Sequence, residues 1–399
     1  MTASDDRLPL ADITVLEFSH AVMGPTCGMF LADLGAEVLK LEPAPAGDRT
    51  RHLAGAGAGF FGMYSRNKKS LAIDLKAAGC RPAVEALIRQ ADVMIENFAL
   101  GTMDRLGLGW ADASALNPRL IYCQLKGFLS GPYEERRALD EIAQMMSGLA
   151  YMTGPPDRPL RAGTSIIDIL GGMSGVIGIL AALRERERTG RGRNVRAGLF
   201  EAAALTMGQH IVQYAMTGEP LEPMSVAPRA WGVYDIFKTS DGKSIFMGVV
   251  TDTQWRRFCE VFGRDDFAAD ARLQTNNGRM ESRPWLVPAV QEMCGAMTSD
   301  ELLAKADAAE LAFGPVNRPE DLLDDPHLNA DGRMAGTRLP GGATTKVPPL
   351  PFELDGRGFG LRQDPPATGQ HGREILQRAG LDDAAISALA DAGHIVLPD

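Results

Sequence analysis

The chain has 399 residues, 45% hydrophobic and 23% charged, the make-up of a globular protein long enough for two buried cores, so two domains are expected. A formal net charge of −10 argues against a general nucleic-acid binder, which carries a basic excess, but leaves room for an anionic small ligand held by a local basic cluster. The five cysteines (Cys27, Cys80, Cys123, Cys259 and Cys294) are scattered and odd in number, with no CxxC, which excludes a disulfide frame or zinc site and fits a reducing cytosol.

The opening MTASDDRLPLADIT has neither a basic nor an apolar leader region, so no signal peptide is expected and the location is expected to be cytoplasmic. ITVLEF (13–18) reads as a strand, PTCGMFLADLG (25–35) as a helix ended by glycine, and AEVLKLE (36–42) as a second strand. Arg66-Asn67-Lys68-Lys69, with Lys76 close behind, is the basic cluster; it reads either as an anion site or as a solvated turn. KAAGCRPAVEALIRQ (76–90) reads as a helix, DVMIENF (92–98) and RLIYCQL (119–125) as strands. Strands alternating with helices predict βαβ units and an open parallel α/β sheet, with ligands in the loops at the strands' carboxyl ends. SHAVMGP (19–25) and ENFALG (96–101) occupy that position.

GTSIIDILGGMSGVIGILAAL (163–183) places one carboxylate, Asp168, in an almost unbroken apolar run. The uncharged stretch 169–183 is about 22 Å long as a helix, short of a hydrocarbon core of about 30 Å, so a core helix is expected and no membrane span. Gly171, Gly175, Gly178 and Ala182 fall on one stripe of small residues suited to close packing. RNVRAG (193–198) reads as a strand and LFEAAALTMGQHIVQYAM (199–216) as one helix. Residues 1–216 then form a large domain and 217–232 a Pro-rich linker; a hairpin (233–250) and helices make a smaller α+β domain over 233–325. The remainder, 326–399, returns to the large domain and carries a last helical segment near 370–393.

GAGFFG (57–62) matches GxGxxG, but no strand precedes it, so it reads as a glycine loop and not as a dinucleotide fingerprint. No P-loop, HExxH or GxSxG occurs, which removes the usual parts of a kinase, zinc protease or serine hydrolase. The six histidines are not at metal-ligand spacings, so no metal site is expected, and His20 reads as a loop histidine. For Asp168 two readings stand level. One is a helix N-cap, worth about 1 kcal/mol, although Gly171 stands where a capping box needs Glu or Gln. The other is a nucleophile kept ionised at a helix start, with Gly171 and Gly172 giving access to backbone amides.

In order along the chain, ADITVLEFSHAVMGPTCGMFLADLGAEVLKLEP, RNKKSLAIDLK, IENFALGTMDRLGL, LNPRLIYCQLKGF, GTSIIDILGGMSGVIGILAALRERERTGRGRNV, VYDIFKTSDGKSIFM, FGPVNRPEDLLDDPHL and TGQHGREIL are present. Together they resemble the class III CoA-transferase family, the formyl-CoA transferase and carnitine CoA-transferase type (CaiB/BaiF), over almost the whole chain. The resemblance implies a Rossmann-like large domain with an open parallel sheet, a smaller α+β domain, and an interlocked homodimer. It implies a catalytic aspartate at Asp168, an acidic neighbour at Asp140, and CoA contacts at Val22, Met23, Leu75, Lys76, Asn97, Phe98, Arg105, Leu106 and Arg137. Lys76, Arg105 and Arg137 would then meet the CoA phosphates.

The implied activity is CoA transfer from an acyl-CoA thioester to a free carboxylic acid through an aspartyl-CoA thioester on Asp168, with coenzyme A as substrate and no permanently bound cofactor. The protein's part is to supply backbone amides for the oxyanions, with Gly171 and Gly172 as candidates, and to exclude water. Two departures from the family pattern are present. Pro43 stands where formyl-CoA transferases carry a basic residue, and no tetraglycine lid occurs near 220–260. The first removes one expected phosphate contact of CoA; the second points away from formate or oxalate and toward a dicarboxylate of the succinate type, for which Arg49, Arg51 and Arg229 are spare cations. The alternatives are a 2-methylacyl-CoA racemase of the same fold, intramolecular CoA transfer within one dicarboxylic acid, and a non-catalytic CoA- or nucleotide-binding regulator. The racemases carry a His-Asp pair where Leu139-Asp140 stands, and leucine cannot act as a base.

Overall fold

A computed structural model describes residues 8–227 and 229–398; the first half of MTASDDRLPLADIT, on which the leader reading rests, lies outside them. The chain folds as two compact units. One is formed by the chain up to Ser225 together with the chain from Pro326 onward, the other by Val226–Asp325.

The first unit opens with β1 (Thr14–Phe18), α1 (Met23–Asp33), β2 (Glu37–Glu42), α2 (Phe60–Tyr64), β3 (Lys68–Ile73), α3 (Arg81–Gln90) and β4 (Val93–Glu96). It continues through α4 (Thr102–Arg105), α5 (Trp110–Leu116), β5 (Ile121–Lys126), α6 (Asp140–Ser147), α7 (Leu149–Thr153) and α8 (Ile166–Thr189). β6 (Asn194–Gly198), α9 (Leu199–Thr206) and α10 (Gly208–Thr217) complete this part. The second unit pairs β7 (Val233–Lys238), β8 (Ser244–Val249) and, after five helices, β9 (Ala312–Pro315) in an antiparallel sheet. Those helices, α11 (Asp252–Phe262), α12 (Asp265–Ala269), α13 (Asn276–Glu281), α14 (Arg283–Gly295) and α15 (Ser299–Ala308), enclose a core containing Trp255, Phe258, Leu286 and Leu302. The returning segment forms α16 (Pro326–Asn329) and two hairpins, β10 (Ala335–Arg338) with β11 (Thr344–Val347) and β12 (Glu353–Leu354) with β13 (Arg357–Gly358). It ends in α17 (Gly372–Arg378), α18 (Asp383–Asp391) and β14 (Ile395–Val396), which joins β3 antiparallel.

The main sheet runs β14-β3-β2-β1-β4-β5-β6, parallel except for β14. Helices cover both faces of the sheet, so nearly all residues of β1, β4 and β5 are buried on both sides. Val15, Val38, Val93 and Ile121 point to the face under α1 and α8, while Leu16, Leu39, Met94 and Tyr122 point to the other, packed with residues of α3 and α17. The strand order reverses between β1 and β4, the place where ligands sit in such sheets.

By length and composition α8 is the one helix among the described residues apolar enough to cross a membrane, with a mean hydropathy of 2.1. It lies instead on α1 and the sheet, and its stripe of small residues is the reason it can. A Cβ on Gly171 would sit 2.6 Å from Met23 Cε, on Gly175 2.7 Å from Leu125 Cδ2, and on Gly178 2.6 Å from Val195 Cγ1. Gly190, at φ 69°, ends the helix, and Arg186 in its last turn is buried against Asp92 at 3.0 Å.

Several expectations change. The helix expected over 76–90 starts only at Arg81, with Pro82 in its first turn, where a missing N–H costs nothing. The single helix over 199–216 breaks at Met207 ahead of Gly208, and the segment near 370–393 splits into α17 and α18. Arg66 and Lys68 of the basic cluster form neither a solvated turn nor an anion site, because their side chains are buried and paired inside the protein. Arg66 Nη2 lies 2.7 Å from Asp33, and Lys68 Nζ lies 2.6 Å from Glu17 Oε2 and 2.9 Å from the Pro25 carbonyl. Glu17 also holds Lys40 at 3.2 Å, and Lys40 reaches Asp48 at 2.9 Å. Gly28 admits this cluster, since a Cβ there would sit 1.8 Å from Glu17 Oε2. Burial pushes the Lys68 ammonium down to about 8 against the pull of Glu17. Arg51 is likewise not spare, as it forks onto Glu42 at 2.6 Å.

Candidate active site

The loops leaving β1 and β4 are tied to each other. The His20 amide donates to Asn97 Oδ1 at 3.0 Å, Asn97 Nδ2 donates to the His20 carbonyl at 2.7 Å, and the His20 ring tilts against Phe98 with centroids 5.7 Å apart. Gly24 permits the approach: a Cβ there would lie 2.4 Å from Ser19 Cβ and 3.1 Å from Asn97 Cγ. Burial, with the Arg49 guanidinium beside it, lowers the His20 pKa, so its ring is neutral near pH 7.

Val22 and Met23 are buried at the start of α1 in this same region, and Met23 is also the neighbour of Gly171. The fold thus brings Val22, Met23 and Asn97 to the β1 and β4 loops, and Met23 links them to α8. Leu75, Phe98 and Leu106 pack on the core of the opposite sheet face. Lys76 is exposed just past β3. Arg105 is exposed on α4, whose end is pinned by Arg81 donating to the Leu106 and Gly107 carbonyls at 2.6 and 2.7 Å. Arg137 is exposed on a separate segment, the one leading into α6.

Asp168 is not the N-cap of α8. Ser165 holds that position without a side-chain cap bond, and Asp168 is the third residue of the helix. The cap comes from α6: Asp140 Oδ2 accepts the Ile167 amide at 2.8 Å and the Asp168 amide at 3.0 Å. One carboxylate satisfies the helix start, and the other keeps its oxygens for a different use. Burial first, then the charges of Asp140 and Glu141, raise the Asp168 pKa to about 7. Glu141 is itself drawn 3.5 Å from Arg161. A carboxylate that titrates near neutrality is a stronger nucleophile than an ordinary one and is still substantially ionised at pH 7.

Gly171 and Gly172 are small because of packing, as the stripe of small residues led one to expect for Gly171, and their amides are taken up within the helix. They lie in the second turn of α8, where amides bond the preceding turn, and a Cβ on Gly172 would sit 2.6 Å from the Met23 carbonyl oxygen. Their close neighbour is α1. The first-turn amides of Ile167, Asp168 and Ile169 are also engaged, with Asp140 and with the Ser165 carbonyl. Leu139, beside Asp140, is 66% exposed and brings no base.

Sequence reasoning missed two residues here. Gln144 is wholly buried one turn on from Asp140 and bonds it, and the spacing of four on a helix was the available signal. Tyr64 on α2 is half-buried, and burial together with the Asp168 charge raises its pKa; nothing in its local sequence marks it.

Residues 10–372 match the family model described as CoA-transferase family III. The chain is 34% identical over 387 residues to a succinyl-CoA–D-citramalate CoA-transferase of Chloroflexus aurantiacus, covering 94% of this chain and 95% of that one. It is 30% identical to a succinate–glutarate CoA-transferase of Agrobacterium fabrum, covering 92% and 95%. Among solved structures it resembles a CaiB/BaiF family protein from Brucella suis, with a TM-score of 0.83 and 32% identity over 94% of this chain and 100% of that one.

Proposed function

The chain belongs to CoA-transferase family III, and from that premise we propose that it moves CoA from an acyl-CoA thioester to a free dicarboxylic acid through Asp168. The observation that carries the reading is the division of labour at α8, where Asp140 caps the helix and leaves Asp168 raised in pKa and unspent.

The Asp168 carboxylate attacks the thioester carbonyl, giving a mixed anhydride and CoA thiolate. The thiolate attacks the Asp168 carbonyl, releasing the donor acid and leaving an aspartyl-CoA thioester. The acceptor carboxylate then attacks that thioester, and the thiolate it expels reopens the second anhydride on the acceptor side. The product is a new acyl-CoA with Asp168 restored. One thioester is exchanged for another, so the sequence needs no ATP, and coenzyme A enters and leaves as substrate with no permanently bound cofactor.

Val22, Met23, Leu75, Asn97, Phe98 and Leu106 would line the CoA path, with Lys76, Arg105 and Arg137 on its phosphates. The dicarboxylate reading is supported by relatives named for citramalate and glutarate. Arg49, exposed beside His20 at the β1 loop, would be the cation for a second carboxylate. The protein acts as a homodimer in the cytoplasm. Support for the dimer is the exposure of large apolar side chains on three helices: Ile177 on α8, Leu205 on α9, at 80%, and Ile211 and Met216 on α10, the last at 82%. A 380 Å³ cavity lined by Tyr151, Met152, Met207 and Tyr214 adjoins it. Sedimentation at the mass of one chain would refute the dimer. Support for the compartment is five cysteines, all buried and unbridged.

Incubation with succinyl-CoA and hydroxylamine should convert Asp168 to a hydroxamate visible by peptide mass spectrometry. An Asp168→Ala variant that still exchanges CoA between succinyl-CoA and glutarate overturns the proposal.

A further inference from the structure

Gln144 sits at the junction of three segments that meet behind Asp168. It lies on α6, one turn after Asp140, and is 0% exposed. Its Nε2 donates to Asp140 Oδ1, while its Oε1 accepts the Ala162 amide at 2.9 Å from the loop that leads into α8. Asp140 in turn is 4% exposed, and its second oxygen takes the Ile167 and Asp168 amides. The chain of bonds therefore runs from the loop before α8, through Gln144 and Asp140, to the backbone of Asp168 itself.

We infer that Gln144 is a positioning residue for the transferase reaction, holding the Asp140 carboxylate against the first amides of α8 and so fixing where the Asp168 carboxylate stands. The inference rests on the reading of Asp168 as the nucleophile. Its physical basis is the chemistry of the side chain. A primary amide donates with one end and accepts with the other, and both ends are used here. Methionine of the same length does neither. Glutamate accepts the Ala162 amide, but once ionised it faces Asp140 with a second negative charge and no donor. Protonated glutamate regains the donor, so its function should depend on pH in a way the native residue's does not.

The charged and titratable groups around this cluster are few. α6 adds Glu141, the loop before α8 adds Arg161 paired to Glu141, and α2 adds Tyr64. α9 adds Glu201, which accepts the Leu129 amide at 3.1 Å. From α1 the neighbours of the α8 glycines are Met23 and Thr26, neither of which titrates.

The test compares wild type, Gln144→Met, Gln144→Glu and Asp168→Ala, all as full chains, by steady-state CoA exchange from succinyl-CoA to glutarate between pH 5.5 and 8.5. Gln144→Met should lower kcat by about 10–100-fold, the loss expected from one hydrogen bond to a charged group, with the KM for succinyl-CoA within about threefold. Gln144→Glu should gain a falling limb with rising pH that wild type lacks, approaching wild-type kcat at the acid end. Wild-type pH profiles and kcat in both Gln144 variants overturn the inference, as does a loss that only tracks a lower folded fraction by circular dichroism. If Asp168→Ala also exchanges CoA, the nucleophile reading fails instead; if it is dead while the Gln144 variants behave as wild type, only the role of Gln144 fails.

Discussion

Replacing Asp168 by Asn removes a titrating group while keeping its shape, and the consequence is a stability difference that depends on pH. The carboxyl titrates near 7 in the folded chain against 3.8 ordinarily, mainly because burial disfavours its charge. Between those values the folded chain holds a proton that the unfolded chain has released. Wild-type stability therefore falls as pH rises from about 4 to about 7, and the loss is complete above 7. At about 1.4 kcal/mol per pH unit, the loss amounts to roughly 4 kcal/mol. The Asn variant escapes it. Urea unfolding of both proteins at pH 5, 6, 7 and 8, at one protein concentration because association shifts stability, should show the variant gaining steadily on wild type until pH 7. The slope is the signature, since any change in packing adds only a constant. A difference that stays flat across the range refutes the reasoning. The same titration should govern the free enzyme's chemistry, with kcat/KM for the acyl-CoA falling about tenfold per pH unit below 7 and level above it.

Two adjacent glycines should respond differently to alanine. A Cβ on Gly171 meets the flexible end of Met23, whereas one on Gly172 meets the Met23 carbonyl oxygen and Thr26 Cβ at 2.6 and 2.9 Å. Gly172→Ala should cost about 1–3 kcal/mol by urea unfolding and Gly171→Ala less than about 1, and equal costs would contradict the packing of α8 on α1. Lys68→Met leaves Glu17 Oε2 buried without its cation and should cost about 3–5 kcal/mol, measured the same way; a neutral outcome would show that Lys40 alone satisfies Glu17.

Apolar runs of strand length were legible wherever the signal was local. β1, β2, β4 and β5 lie within two residues of their expected places, and the loops after β1 and β4 flank the strand-order reversal. β3 escaped because Lys68, Lys69 and Ser70 read as polar, and only their partners, Glu17 on β1 and Glu37 and Glu42 on β2, make such residues compatible with a sheet strand. Arg51 misled for the same reason: a buried carboxylate nine residues away had already claimed it.

At Asp168 the local sequence was balanced between cap and nucleophile, and nothing within a helical turn of it settled the choice. The carboxylate that caps α8 comes from a residue 28 positions earlier. By itself the sequence determined most strands of the main sheet and their order along the chain, because hydrophobic periodicity is written in neighbouring residues. Which carboxylate spends its oxygens on the helix start, and which buried charges neutralise each other, was decided only by the tertiary structure, because those pairings join segments that folding alone brings together.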